Sequence, residues 1–153
     1  MGGELNGAAR KGAPRFLVAA SRDASGANLD RVQIVKGWID AQGKTLERVH
    51  DVAWSDAASR RPGADGKLPP VGSTVDVKAA AWSNTIGAPE LATVWEDPAF
   101  DATQPAFYYV RVLQIPTPRW TAYDAARFDV QMDPQVPMST QDRAYTSPIW
   151  YTP

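Results

Sequence analysis

The chain has 153 residues, of which 44% are hydrophobic and 10% aromatic, so it is long enough for one domain with a core and too short for two full-sized ones. Sixteen basic against seventeen acidic residues give a net charge of -1, which argues against binding to nucleic acid or to an anionic membrane surface. The sequence contains no cysteine, which excludes disulfides, thiolate zinc sites and cysteine nucleophiles.

Short runs of β-branched and aromatic residues, bounded by Gly, Pro, Asn and Asp, favour strands along most of the chain. The 13 prolines and 11 glycines are spread through its length, a spacing that is typical of an all-β sandwich and leaves little room for long helices. We expect a flexible segment over residues 1–14 and a single β-sandwich domain over residues 15–153. The apolar run FLVAA, residues 16–20, predicts a buried strand, and RDASGANLD, residues 22–30, predicts a turn.

The clearest pattern is a β-hairpin. RVQIVKGWID, residues 31–40, leads through AQGK to TLERVHDVAWS, residues 45–55, and Gly43 stands where a short loop needs a positive φ. A change of parity along the first strand predicts a bulge near Lys36 and Gly37.

The next two segments are less regular. DAASRRPGADGKLPPVGS, residues 56–73, is polar and rich in Gly and Pro, which predicts one long surface loop before TVDVKAAAW begins a new strand at Thr74. Loops of this length inside a compact domain are often functional. APELATVWEDPAF, residues 88–100, fits either a helix that begins at Pro89 or a strand, and its alternation favours the strand.

AFYYVRVLQI, residues 106–115, carries large side chains on both faces, which predicts a central strand. It resembles the F strand of immunoglobulin-like and fibronectin-like sandwiches, so the predicted fold is an all-β, immunoglobulin/fibronectin-like antiparallel β-sandwich with long loops. Pro116 and Pro118 are expected to end this strand, because proline cannot donate a backbone hydrogen bond. SPIWYTP, residues 147–153, predicts a terminal strand.

Two groups of residues are candidate interface or substrate contacts. The first group lies in a predicted loop between the last two major strands and consists of Arg119, Trp120, Tyr123 and Asp124. The second group, Arg60 and Arg61, lies in the long loop and could grip an anion or a carboxylate of a neighbouring domain. For the first group structural packing is the favoured interpretation, and for the second it is solvation.

No catalytic constellation is evident in the sequence. His50 is the single histidine, so this chain alone cannot build a multi-histidine metal site, and a sheet position facing Asp51 or solvent is favoured over catalysis. Oxygen ligands for calcium could come from a turn that contains Asp23, Ser25, Asn28 and Asp30, although turn capping explains these residues better. A second acidic group is expected to form a solvated turn: Glu96, Asp97 and Asp101. Most of the six tryptophans should fill the core, with one or two exposed.

Five long blocks follow one another along the chain: RFLVAASRDASGANLDRVQIVKGWID, PGADGKLPPVGSTVD, WSNTIGAPELATVWEDPAFD, PAFYYVRVLQIPTPRWTAYDA and SPIWYTP. From about Arg15 to Pro153 they resemble the C-terminal region of the bacterial family catalogued as domain of unknown function 3604. The resemblance implies that full-length members are PHP-type metal-dependent hydrolases, whose N-terminal α/β domain holds divalent metals through histidines and carboxylates. Those motifs are not present in this sequence, which suggests a truncated product, an excised domain or a divergent short gene.

Three hypotheses of function follow. The leading one is a noncatalytic accessory β-sandwich module of a metal-dependent hydrolase of the phosphate or sulfate ester type, which packs on or gates an N-terminal catalytic domain or pairs with a second copy. The alternatives are a free-standing carbohydrate- or protein-binding domain that uses exposed aromatics, and a small self-sufficient hydrolase built on His50. We expect no cofactor in this chain and a bacterial, soluble protein of the cytoplasm or periplasm, because no apolar run approaches the ~20 residues that span a bilayer and the start lacks a signal-peptide core.

Overall fold

The computed structural model describes residues 2–9 and 12–153 of the chain. In these ranges the structure has ten strands, one α-helix and a 3-10 turn at Gly7–Ala9. The strands and the helix are, in chain order, β1 (Gly3–Asn6), β2 (Arg15–Ser21), β3 (Leu29–Ile39), β4 (Thr45–Trp54), β5 (Glu90–Glu96), β6 (Ala106–Gln114), β7 (Thr117–Pro118), α1 (Trp120–Phe128), β8 (Ser139–Thr140), β9 (Arg143–Tyr145) and β10 (Ile149–Thr152).

The strands form two layers. The large sheet has the order β1, β10, β6, β3, β4, and β9 pairs with the second half of β6 beyond the end of β10. Its pairs are antiparallel apart from β1 with β10, which run parallel. The second layer is the two-stranded antiparallel sheet of β2 and β5, and β7 pairs with β8 separately. The predicted all-β sandwich is therefore confirmed, as is the central position of β6.

The core lies between the two layers. Val32 and Ile34 of β3 and Tyr108 of β6 point toward β2 and β5, where they meet Val18 and Leu91. Because side chains alternate along a strand, each of these strands supplies every second residue to the core. Burying these aliphatic and aromatic side chains contributes roughly 1.5–3 kcal/mol each relative to leaving them exposed.

The β3–β4 hairpin is confirmed, and Gly43 in its turn has a φ of 78°. The bulge is elsewhere than predicted, since pairing is continuous through Lys36 and Gly37 and the register shifts between Val32 and Gln33 instead. On β4 the shift leaves one extra residue, Val52, which packs against the core. In the middle of β3 the side chains on both faces of the sheet are buried. Hydrophobic residues can therefore change from one face to the other at Lys36 without a shift of the strand register.

The predicted strand at Thr74 is wrong, while β5 is confirmed. Residues 74–82 contain only an isolated bridge between Asp76 and Ala81. The carboxylate of Asp76 accepts hydrogen bonds from the backbone N–H groups of Lys78 and Ala79, both at 3.0 Å. Such side-chain bonds stabilise a turn and compete with sheet pairing, so the connection between β4 and β5 stays irregular.

The segment after Pro118 was predicted to be a loop, and it is the helix α1. Arg119 has extended backbone angles at its start, and Asp129 ends it in the left-handed region with φ 51°. Alanines have high helix propensity and occur three times in its nine residues, a signal that the aromatic residues around them masked. The helix buries Thr121 and Ala122.

Both ends of the chain lie along one side of the large sheet. The predicted terminal strand is confirmed as β10, which runs between β1 and β6. The predicted flexible segment, residues 1–14, includes residues 1, 10 and 11, which lie outside the described part of the chain, and Gly3–Asn6, which form β1. None of the helices in the described ranges has the length and apolar character needed to cross a membrane.

Candidate functional site

The large sheet has a second face, on the side opposite the core, which we call the outer face. Strand register places its side chains in three rows that run across the sheet. The first row is Trp150, Phe107, Gly37 and Glu47; the second is Tyr109, Val35 and Val49; the third is Tyr145, Arg111, Gln33 and Asp51. The outer face thus combines aromatic, aliphatic and charged groups in fixed positions.

Four rings on this face form a continuous chain of contacts, which we call the aromatic row: Trp150, Phe107, Tyr109 and Tyr145. The ring centroids are 5.3 Å apart for Trp150 and Phe107, and 6.3 Å apart for the next two contacts along the row. The two end residues are open to solvent, Trp150 at 52% and Tyr145 at 57% exposure. A row of touching rings that is half-buried in the middle and exposed at both ends resembles the composition of protein interfaces, where aromatic residues are enriched.

Gly37 lies at the centre of the first row. The ring of Phe107 packs directly over it, so that a Cβ at this position would collide with the ring. Beside this contact lies an apolar groove of about 500 Å³, lined among others by Ile39, Glu47 and Trp150. Aromatic and aliphatic residues make up most of its lining.

Hydrogen bonds link the side chains of Arg111, Gln33 and Asp51 in the third row. Arg111 donates through Nε to Oε1 of Gln33 at 2.7 Å, and Gln33 donates through Nε2 to Oδ1 of Asp51 at 2.8 Å. Arg31 donates to the other oxygen of Asp51 at 3.3 Å. Because its Nε is held, the guanidinium of Arg111 has a fixed orientation next to Tyr145.

Arg60 is buried, although solvation was the expectation for it. Its Nη2 donates to Oδ1 of Asp30, its Nε donates to the carbonyl of Pro69 at 2.9 Å, and its Nη1 donates to the hydroxyl of Ser55 at 3.0 Å. Asp30 is 1% exposed. The carboxylate that Arg60 grips thus belongs to this chain, and the pair fastens the long loop to the start of β3. Arg61, by contrast, is exposed.

The candidate calcium ligands Asp23, Asn28 and Asp30 have hydrogen-bond partners within the chain. Asp23 accepts from the backbone N–H and the hydroxyl of Ser25 at 2.8 and 2.6 Å, which holds the pKa of its carboxyl below the usual range. The amide of Asn28 donates to the carbonyls of Asn84 and Ile86, and the carboxylate of Asp30 accepts from Arg60. In the described ranges no three His, Asp or Glu side chains come close enough to hold a metal ion.

A second buried charge cluster joins the layers. Asp97 was expected in a solvated turn, but its side chain is fully buried and lies 2.6 Å from Nζ of Lys36. Tyr108 donates its hydroxyl to the same carboxylate at 2.7 Å, and the backbone N–H of Ala99 donates at 3.0 Å. Burial alone would raise the pKa of Asp97, but these hydrogen bonds outweigh burial and lower it. Burial and the bond to Asp97 in turn raise the pKa of Tyr108.

His50 faces the core and not Asp51 or solvent, which corrects the prediction for it. Its ring lies 4.9 Å from the ring of Trp95, and its Nε2 is buried without a hydrogen-bond partner among the described residues. Burial lowers the pKa of His50, against the opposing influence of Asp97. The imidazole of His50 therefore packs between the two sheet layers against Trp95.

The first group of predicted contact residues lies at the start of α1. Trp120 is 62% exposed and Tyr123 is 44% exposed. The guanidinium of Arg119 lies 5.9 Å from the centre of the Trp120 ring, within cation–π distance. Trp120 and Trp150 are the two exposed tryptophans, as expected, while the other four are partly buried.

Sequence reasoning missed the aromatic row. The alternation of β6 placed Phe107, Tyr109 and Arg111 on one face, but that face was interpreted as covered. Tyr145 lies in the three-residue strand β9, too short to recognise from a pattern. The signal that could have found the row is the SPIWYTP strand, because a strand carrying Trp150 next to β6 extends its aromatic face.

The fold and these surfaces define a β-sandwich domain with one open aromatic sheet face and two internal charge clusters. The family described as protein of unknown function (DUF3604) matches residues 1–153, the whole chain, and the protein belongs to that family. No curated protein and no solved structure matched the chain.

Proposed function

We propose that this chain is a noncatalytic accessory β-sandwich module, which docks through the aromatic row onto a metal-dependent hydrolase domain of the phosphate or sulfate ester type. The hydrolase partner comes from the resemblance of the five sequence blocks to the C-terminal part of a family with PHP-type catalytic domains. The exposed ends of the aromatic row support the choice of docking surface.

One observation carries the proposal, namely the exposure of the aromatic row. Trp150 and Tyr145 are more than half exposed at the two ends of a run of touching rings. Aromatic residues are enriched at protein interfaces because they bury a large area while losing little side-chain entropy. A rigid β-sheet carries them here, so binding requires little reordering of the backbone.

The arrangement of ionisable groups supports a noncatalytic role. The carboxylates of Asp30 and Asp97 are neutralised by Arg60 and Lys36 inside the fold. His50 lies against Trp95 with its free nitrogen buried. These groups therefore serve stability, and the groups left on the outer face are suited to recognition.

The docking test uses a separately expressed PHP-type domain of a family member. The double substitution Tyr145→Lys and Trp150→Lys is expected to weaken binding about 30-fold if one exposed ring is an interface hot spot worth about 2 kcal/mol, and up to about 1,000-fold if both are. Isothermal titration calorimetry measures the change. The matched control is Trp120→Lys on α1, which should bind like the parent; loss of binding in that variant alone would move the interface to the helix.

A separate experiment tests the proposal that the chain is noncatalytic. The purified chain is incubated with aryl phosphate and aryl sulfate esters in the presence of Mn²⁺ or Zn²⁺. The expected rate equals that of the buffer. Hydrolysis above that rate, abolished by a chelator, would contradict the proposal, and its survival in His50→Ala would exclude His50 as the base.

A second candidate function is a free-standing binding domain, which the exposure of Trp120 and Tyr123 favours. These two residues lie one turn apart on α1, and Arg119 and Asp124 flank them. Such a surface suits a glycan or a peptide. Glycan and peptide arrays probed with the parent and with Trp120→Ala decide this case, since a ligand bound equally by both proteins does not use the helix.

A further inference from the structure

We infer that the groove beside Gly37 accepts a basic side chain, arginine or lysine, from an apolar segment of the partner protein. This inference rests on the proposed function, because it names the chemistry of the segment that would meet the outer face.

The shape of the groove points to an inserted side chain. Its volume of about 500 Å³ lies within the range of sites that enclose small ligands, about 300–1,000 Å³. Most of its lining is apolar, with Ile39 on β3 and Phe107 and Trp150 on β6 and β10. An apolar stem is needed to fill such a space.

The charge of the groove comes from Glu47. This residue lies in the same cross-strand row as Gly37 and Phe107, and its side chain is exposed. Among the described residues Glu47 forms no ion pair, and it is the one charged residue that lines the groove. Its neighbour along β4, Arg48, belongs to the opposite face of the sheet because successive side chains alternate.

The aromatic rings of the groove and the carboxylate of Glu47 together favour the binding of a cation. The tilted pair of Trp150 and Phe107, with centroids 5.3 Å apart, offers ring faces that attract a positive charge. Arginine and lysine bury an aliphatic stem along apolar surface while the charged head stays near the rim. Neutral apolar segments would leave Glu47 without a partner, and acidic segments would be repelled by it.

The test uses short peptides with blocked ends and the chain alone. The peptides have the sequence leucine-X-leucine, in which X is arginine, citrulline or glutamate; citrulline is the neutral isostere of arginine. Titrations are followed by NMR through the indole N–H of Trp150. We expect the arginine peptide to bind about fivefold more tightly than the citrulline peptide, as a cation–π contact with a nearby carboxylate would give, and the glutamate peptide to bind least.

Two variants make the result specific. Glu47→Gln should bring the arginine and citrulline peptides to equal affinity, whereas Glu90→Gln, which removes an exposed carboxylate of β5, should keep the preference. Equal binding of the arginine and citrulline peptides to the parent, no perturbation of Trp150 by any peptide, or a preference that survives in Glu47→Gln would overturn the inference. Broadening of the Trp150 signal with protein concentration alone would assign the groove to a second copy of the chain and would overturn it too.

The outcome is separable from that of the docking experiment. If the hydrolase domain binds through the aromatic row and the peptides show no charge preference, the proposed function stands and the basic segment is rejected. If the peptides discriminate and the hydrolase domain does not bind, the groove chemistry stands and the partner is wrong.

Discussion

At the scale of single residues, the most consequential group is Asp97. It accepts from Lys36, Tyr108 and Ala99, and its side chain is fully buried. Asp97→Asn would leave the ammonium of Lys36 buried and unneutralised, and breaking a buried ion pair in this way costs about 3–5 kcal/mol. We expect a loss of that size in the free energy of unfolding, measured by urea denaturation.

A matched substitution lies four residues further on. Asp101 is exposed, and its carboxylate accepts only from Thr103. Asp101→Asn should therefore change stability far less than Asp97→Asn. If the two variants unfold at similar urea concentrations, Asp97 is not the residue that ties the two layers together.

The carboxylate of Asp97 also makes the free energy of unfolding depend on pH in the acidic range. The pKa of folded Asp97 lies below the usual value of about 3.9. A carboxyl with a depressed pKa contributes stability that is complete above the unfolded value and is lost as pH falls through the folded value. The parent should therefore lose stability below about pH 4 more steeply than Asp97→Asn does, in urea midpoints measured at successive pH values.

His50 gives a prediction at higher pH. Burial lowers its pKa in the fold, so between that value and about 6.5 the unfolded chain binds the extra proton. Stability then falls as the pH is lowered from 7 through this window. Since His50 is the single histidine, the fall should disappear in His50→Phe, a replacement that keeps a ring against Trp95. An identical pH dependence in both proteins would mean that His50 is already solvated in the fold.

At the scale of elements, the long loop after β4 is held by Arg60. Four contacts join this side chain to Asp30, Pro69 and Ser55, across both ends of the loop. Arg60→Ala should lower the free energy of unfolding by about 1.5–3 kcal/mol, because Asp30 loses its hydrogen bond from Arg60 while Arg31 still neutralises the carboxylate. Hydrogen exchange should increase in residues 56–73.

The neighbouring arginine provides the control for that experiment. Arg61 is exposed, so Arg61→Ala should leave both the stability and the exchange rates of the loop close to those of the parent. Equal exchange in the two variants would show that the loop is fastened by its backbone and not by the Arg60 side chain.

How far the sequence predicts each element depends on whether the signal is local. The β3–β4 hairpin follows from alternation and from Gly43, both of which lie within the segment itself. The strand expected at Thr74 fails because Asp76 caps a turn, and β-branched residues alone cannot show whether a partner strand is within reach. The burial of Arg60 and Asp97 depends on partners 30 and 61 positions away in sequence, Asp30 and Lys36, which no local pattern reveals.

At the scale of the whole molecule, apart from the exposed rings of α1, two exposed apolar patches on the sheets compete for interpretation. One is the aromatic row with its groove; the other is the outer side of the small sheet, where Leu17 and Val94 pair at 79% and 54% exposure. The second patch is a single aliphatic pair flanked by Ala19 and Ala92, with no groove beside it among the cavities found in the described residues. Exposure alone therefore does not distinguish a site from ordinary surface, whereas concavity and ring contacts do.

The uncharged dye N-phenyl-1-naphthylamine, which fluoresces in apolar concave sites, separates these two patches. The native chain should enhance its emission, and Trp150→Lys with Tyr145→Lys is expected to abolish most of the enhancement because the groove loses an aromatic wall. Leu17→Lys with Val94→Lys introduces the same charge on the small sheet and should keep the enhancement, since a flat aliphatic pair encloses no dye. Circular dichroism establishes that both variants are folded. If the small-sheet variant loses the emission and the aromatic-row variant retains it, the open side of this sandwich is the small sheet, and the docking surface must be sought there.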